Sequence, residues 1–244
     1  GQSGELGVVA PGALADLDRG LGLEPDSFWA LVDRGRLLLS LGRGGDALAD
    51  FESAGRLDPL SFLPLAHAAA IHHQNRRWAQ ARDAFADALR LNPEYLPAYP
   101  ALGELSWRLG DYAAAGRWLA AAYERRPREP AFALVAALAL GRQGDRAAVE
   151  RLMRRLLAEI PAESWYAVTA GFLLRPDWDI PLLERIRGER NEIAKKRMLF
   201  YLGMQYLVTG RRQAALTYLL EAASLEQDDL IEKQLAAWEV EHAG

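Results

Sequence analysis

The sequence predicts an all-α fold made of repeated antiparallel helix pairs. Prolines recur every 34 residues, at Pro25, Pro59, Pro93, Pro127 and Pro161. Each block between them contains two stretches with apolar residues at i, i+3, i+4 and i+7, which is typical of amphipathic helices. A glycine or polar turn joins the two stretches. A fixed period of this length indicates structural units that bury their apolar faces by stacking on one another.

Small residues occupy fixed columns of the repeat, which predicts where the helices touch. The first-helix column reads Gly35, Ala69, Gly103, Ala137 and Gly171. The second helix has an alanine column (Ala47, Ala81, Ala115) and an apolar column (Phe51, Phe85, Leu119, Met153). The turn column reads Gly42, Arg76, Gly110 and Gly144. Small side chains let two helix backbones approach closely, so we expect a large residue at Ala115 to cost about 1–3 kcal/mol.

These columns resemble the tetratricopeptide repeat. Block 96–127, LPAYPALGELSWRLGDYAAAGRWLAAAYERRP, matches the pattern most fully, at Tyr99, Leu102, Gly103, Gly110, Tyr112, Ala115, Leu119, Ala122 and Pro127. The resemblance implies a right-handed superhelical solenoid of antiparallel helix pairs. We expect about six repeats, of which the fifth is degenerate, followed by a C-terminal capping helix.

The repeat register divides the chain into five segments. Residues 1–27 form an N-terminal segment with a lone helix at 11–24, and residues 28–161 form four regular repeats. Residues 162–195 hold the degenerate repeat and a loop, because Pro176 and Pro181 interrupt the helical pattern. A final repeat at 196–227 and a capping helix within 228–244 complete the chain. Ile231, Leu235 and Trp238 lie on one stripe of this last helix.

Composition argues against several classes of function. The chain has 244 residues, a net charge of −4 and no cysteine. The charge disfavours nucleic acid as a partner, and the missing thiols exclude disulfides and thiolate chemistry. No apolar run is long enough to span a bilayer. The first residue is Gly1, which indicates either a trimmed chain or a mature form that has lost a signal segment, so any lipid anchor would lie outside this sequence.

Motifs for catalysis and for metal binding are weak. Glu163-Ser164 with Gly203-Met204-Gln205 resembles parts of lytic transglycosylases, but about 40 residues separate the two pieces and Gly203 already fits a repeat column. His67 and His72 are not spaced as ligands on one helical face, and no glycine-rich phosphate loop follows a strand. We therefore expect no catalytic residues, no metal site and no cofactor.

A protein-binding surface is the better candidate. In the tetratricopeptide fold the first helices line the concave side, and aromatic residues and arginine are enriched where proteins bind. The register predicts a concave surface formed by Trp29, Arg36, Leu39, His73, Gln74, Glu104, Trp107, Arg108, Leu138, Arg142 and Phe172. The alternative is that several of these residues only pack against neighbouring repeats.

The order of regular and broken repeats resembles the NlpI-type outer-membrane lipoproteins of bacteria. The matching pieces are 11–24, 28–161, 164–190, FYLG at 200–203, and 228–241. The resemblance implies a non-enzymatic periplasmic adaptor, anchored by a lipid outside this chain, that recruits a C-terminal-processing protease or murein hydrolases. It also implies a homodimer. An alternative is a scaffold for exopolysaccharide export or envelope-complex assembly, a more remote one is a transglycosylase-like enzyme, and a cytoplasmic location stays open.

Overall fold

The computed structural model describes the backbone of residues 3–242 and the side chains of residues 12–242. This part of the chain contains fourteen α-helices and no strand. The helices are α1 (Ser3–Leu23), α2 (Phe28–Ser40), α3 (Gly44–Leu57), α4 (Leu63–Gln74), α5 (Trp78–Leu91), α6 (Ala98–Arg108), α7 (Tyr112–Arg125), α8 (Pro130–Arg142), α9 (Arg146–Glu159), α10 (Trp165–Leu174), α11 (Ile180–Gly188), α12 (Glu192–Val208), α13 (Arg212–Ala223) and α14 (Ile231–His242). The predicted all-α class is confirmed.

The chain forms two compact units, residues 1–98 and residues 99–244, called unit 1 and unit 2 below. In unit 1, α1 packs on α2, α2 on α3, α3 on α4 and α4 on α5. In unit 2, α7 packs on α8, α8 on α9, α12 on α13 and α13 on α14. Each unit therefore buries its apolar stripes between helices that are close in sequence, as expected for stacked repeats.

The seam between paired helices lies where the small-residue column predicts it. A methyl group added at Gly103 would lie 2.5 Å from Leu119 Cγ, and one at Gly35 would lie 2.8 Å from the Phe51 ring. At Gly203 the equivalent distance to Leu219 Cγ is 3.0 Å. Glycine is needed here because the apolar residue of the second helix fills the space that a side chain would take.

The fifth repeat breaks this rule. Nothing lies within 4 Å of a methyl group added at Gly171. Its first helix, α10, ends at Leu174, and the second helix, α11, has nine residues and starts only at Ile180 with a proline in its first turn. A loop at 175–179 therefore replaces the tight turn, at the position where Pro176 and Pro181 interrupt the sequence pattern.

We expect Gly103→Ala to lower the free energy of unfolding by about 1–3 kcal/mol, because Leu119 must shift to admit the methyl group. The matched control is Gly171→Ala in the same unit. It meets open space and removes a helical glycine, so it should raise stability by about 0.5–1 kcal/mol. Urea unfolding followed by circular dichroism measures both changes. Equal destabilisation by the two variants would contradict the seam at Gly103.

The tight turns between paired helices share one backbone conformation. Gly42, Gly110, Gly144 and Gly210 have φ between 74° and 85°, and Arg76 has φ 55°. Glycine adopts this left-handed region without the steric cost of about 1–2 kcal/mol that other residues pay. The predicted turn column therefore marks real turns, and Arg76 carries the strained version of the same turn.

The N-terminal helix is longer than predicted, and the C-terminal helix makes more contacts than predicted. The helix expected at 11–24 runs from Ser3 to Leu23, so it continues through Pro11 instead of starting there. The C-terminal helix packs against α12 and α13, the last pair, as a cap should, but it also contacts α8. Its buried residues are Ile231, Glu232, Leu235 and Ala236, whereas Trp238 is half-buried. The contacts of α14 with α6 and α8 shape the candidate site of unit 2.

Candidate functional site on the first helices

In unit 1, the predicted residues lie at or near the surface. Trp29 is 64% exposed, and Arg36 and Gln74 are also exposed. Leu39 is half-buried because it packs on the apolar core of the unit, and His73 is half-buried with its ring edge-on to Trp78 at 5.4 Å. A binding role for these five residues stays a prediction.

In unit 2, the predicted exposure is wrong for four residues. Glu104, Trp107, Leu138 and Phe172 are only 5%, 1%, 6% and 3% exposed. The end of α6 is covered by α14. The repeat register had placed α14 only against the last repeat. Leu138 and Phe172 lie on α8 and α10, two helices that pack on each other and on α12. Arg108 and Arg142 are half-buried, and both contact aromatic rings.

The side chain of Glu239, on α14, is bound by the ends of α6 and α8. Trp107 Nε1 donates to Glu239 Oε1 at 2.8 Å. Arg142 Nη1 donates to the same oxygen at 2.8 Å, and Arg142 Nη2 donates to Oε2 at 3.1 Å. The ion pair is largely shielded, with 15% of the Arg142 side chain and 13% of the Glu239 side chain exposed. A two-point guanidinium contact of this kind fixes the orientation of a carboxylate as well as its position.

Trp238 lies beside this carboxylate, next to Arg108. The Arg108 guanidinium carbon is 5.1 Å from the centre of the Trp238 ring, within cation–π range. Arg108 Nε also donates to Glu104 at 2.8 Å, one helical turn earlier on α6. The structure thus brings Glu104, Trp107, Arg108 and Arg142 together, and it does so around α14.

Sequence reasoning missed the partners on α14. Trp238 was assigned to the apolar stripe of a cap, and Glu239 carried no signal because a single carboxylate on a polar helix is normally solvated. The clue in the sequence was position, because tryptophan and arginine residues end the first helices at 107, 108 and 142.

An open pocket of about 640 Å³ adjoins α8, α10, α12 and the start of α9 in unit 2. Leu138 and Arg142, two of the predicted residues, belong to its lining. Trp178 and Val208 also line it and are 55% and 54% exposed. A pocket that combines exposed aromatic and aliphatic side chains with a few polar groups is typical of a binding site.

The pocket exists because the fifth repeat is irregular. The short helix α10 leaves space between α8 and α12, and the 175–179 loop borders that space. Arg146 Nη2 donates to the carbonyl of Leu174 at 2.9 Å, which satisfies an end of α10. The Tyr206 hydroxyl donates to Asp179 at 2.6 Å. Burial is the main cause that raises the pKa of Tyr206, and this hydrogen bond adds to it. The loop is therefore held at both of its ends.

The residues of the other candidate chemistries lie apart. Glu163 is exposed, whereas a general acid of the transglycosylase type needs a desolvated cleft, and Gly203 packs against Leu219 as a repeat residue. His67 stacks on Phe51 with ring centres 4.6 Å apart, and burial lowers the pKa of His67 and of His72. Among residues 12–242, no group of three histidine, aspartate or glutamate side chains is placed to hold a metal ion. None of the described helices combines the length and apolar character needed to cross a membrane.

Comparison with known proteins gives matches at the level of structure. No protein-family model matches the sequence, and no curated protein matches it significantly. YrrB, described as a TPR protein with an unusual peptide-binding site, is 16% identical over 91% of this chain and 97% of its own, with a TM-score of 0.55. A tetratricopeptide repeat protein from Parabacteroides merdae is 18% identical over 94% and 91%, with a TM-score of 0.55. A chain of the Naa15/Naa10 complex bound to HypK-THB is 15% identical over 94% of this chain and 39% of its own, with a TM-score of 0.56. Together with the 34-residue register, these similarities show that the chain has the tetratricopeptide repeat fold.

Proposed function

We propose that the protein is a non-enzymatic scaffold that binds partner proteins through the first helices of unit 2. The observation that carries this proposal is the open pocket between α8, α10 and α12, where Val208 and Trp178 remain exposed beside Leu138. The similarity in fold to YrrB, a protein described by its peptide-binding site, supports a polypeptide as ligand.

The pocket favours an extended segment with an apolar side chain followed by a carboxylate. Trp178 and Val208, which line the pocket and are exposed, provide an apolar surface for the side chain. Arg175 is exposed at the start of the loop and offers a guanidinium to an acidic group, while Asp177 disfavours a second negative charge nearby. Arg142 and Arg146 add positive charge, although each already binds an acceptor within the chain.

The cellular role that we propose is a periplasmic adaptor, held at the outer membrane by a lipid anchor outside this chain. Its partners would be a C-terminal-processing protease or murein hydrolases, so that it acts in peptidoglycan turnover. The resemblance of segments 164–190 and 200–203 to the NlpI-type lipoproteins supports this role. The same resemblance is the reason for proposing a homodimer.

Capture of partners from an envelope fraction tests the proposal. The site variant is Val208→Glu, which places a charge in the pocket, and the matched control is Leu220→Glu on α13. These two apolar residues are 54% and 56% exposed in the same unit, so both changes should leave folding intact. We expect the wild type and Leu220→Glu to retain a protease or wall hydrolase, and Val208→Glu to lose it at least tenfold.

Two outcomes would contradict the proposal. Equal capture by all three proteins would remove the pocket from the function. Capture of export or assembly subunits instead of a protease or hydrolase would favour the envelope-assembly alternative and refute the proposed role in peptidoglycan turnover.

A further inference from the structure

Unit 2 builds a receptor for a carboxylate from residues that do not depend on α14. The Arg142 guanidinium carbon lies 5.0 Å from the Trp107 ring centre and 4.9 Å from that of Tyr112. The two rings meet edge to face at 5.4 Å, and Arg142 Nη1 donates to the Tyr112 hydroxyl at 2.9 Å. These contacts join α6, α7 and α8. The guanidinium and the indole N–H are therefore already oriented when a carboxylate arrives.

The occupant of this receptor, α14, has two halves that make different contacts. The first half packs with α12 and α13 and so caps the last repeat. Its buried residues are Ile231, Glu232, Leu235 and Ala236. From Ala237 to His242 every side chain is half-buried or exposed. This second half reaches α6 and α8 through the ring of Trp238 and the carboxylate of Glu239. Capping therefore needs the first half, whereas the second half supplies a directional, charge-assisted contact.

We propose that Trp107, Arg108 and Arg142 form a binding site for an acidic amphipathic helix of a partner protein, and that the second half of α14 is its resident occupant. The chemistry of the partner follows from the occupant: a tryptophan beside Arg108, followed directly by a glutamate on Trp107 and Arg142. A helix of this kind enters such a groove by displacing residues 237–242. This site takes a helix, whereas the neighbouring pocket fits an extended segment.

The test uses the full chain and, as probe, a fluorescent peptide with the sequence of residues 228–242. Glu239→Ala removes the resident carboxylate and leaves the receptor intact. We expect this variant to bind the peptide at least tenfold more tightly than the wild type in fluorescence anisotropy. The double variant Glu239→Ala, Arg142→Ala should lose that gain in affinity. A peptide with glutamine at the position of Glu239 should also bind Glu239→Ala without the gain. The control is Glu226→Ala, an exposed residue outside α14, which should bind like the wild type.

The remaining outcomes also decide the proposal. A folded Glu239→Ala chain that binds the peptide no better than the wild type would overturn it. A concentration-dependent dimer of that variant, lost with Arg142→Ala, would support a receptor that accepts this helix from another chain. If Glu239→Ala fails to fold, hydrogen exchange of the wild type decides. We expect amides 238–242 to exchange at least tenfold faster than amides 232–236, and equal protection would overturn the proposal.

Discussion

Glu232→Ala is expected to lower the free energy of unfolding of unit 2 by about 3–5 kcal/mol, because it leaves a shielded arginine without its counter-charge. Glu232 is fully buried, and its Oε1 accepts from Arg197 Nε at 3.0 Å and from Tyr201 at 2.7 Å. Only 14% of the Arg197 side chain is exposed. The Tyr201 hydroxyl is a donor at neutral pH, as an ordinary tyrosine is, and burial raises its pKa further.

Urea unfolding followed by circular dichroism measures the effect of Glu232→Ala. The control is Glu221→Ala on α13, which also removes one carboxylate but from an exposed position, and which should change stability by less than about 0.5 kcal/mol. Similar midpoints for the two variants would show that α14 is not anchored by Glu232.

Trp107→Ala is expected to cost unit 2 about 3–5 kcal/mol, because it empties one of the largest fully buried side-chain positions of the protein. The change also removes the indole donor to Glu239 and the ring beside Arg142. An exposed groove residue, as the repeat register suggested, would instead affect partner binding and leave stability unchanged.

The matched control for Trp107→Ala is Trp29→Ala, the same substitution on the first helix of another repeat. Trp29 is 64% exposed, so its loss should alter stability by no more than about 0.5 kcal/mol. Thermal unfolding with tryptophan fluorescence and circular dichroism separates the two variants. A stable Trp107→Ala protein would contradict the burial of this side chain under α14.

The fold could be predicted in detail because its determinants are local. Within one 34-residue repeat, Gly103 allows the helix seam, Gly110 makes the turn and Pro127 marks the boundary. Neighbouring repeats use equivalent residues for the same purposes. The irregular fifth repeat was also visible, since proline inside a helical pattern has a direct backbone consequence. The pocket that this irregularity produces was not visible, because it depends on the space left between α8 and α12.

The candidate site was predicted only in part because its decisive contact is not local. Trp107 and Glu239 are 132 residues apart, and no periodicity relates them. The register placed Trp107, Arg108 and Arg142 on one surface, and in the structure all three contact α14. Exposure depends on what covers that surface, which the register does not contain. In unit 1 the prediction of an exposed Trp29 agrees with the structure, whereas in unit 2 the chain covers Trp107 itself.

Hydrogen–deuterium exchange with a captured partner tests most directly whether partner proteins bind on the first helices of unit 2. The exchange of the full chain is compared with and without the partner. We predict new protection in α8, α10, α12 and the start of α9 around the pocket, with α13 unchanged. Protection confined to α13, the second helix of the last pair, would contradict a binding site on the first helices.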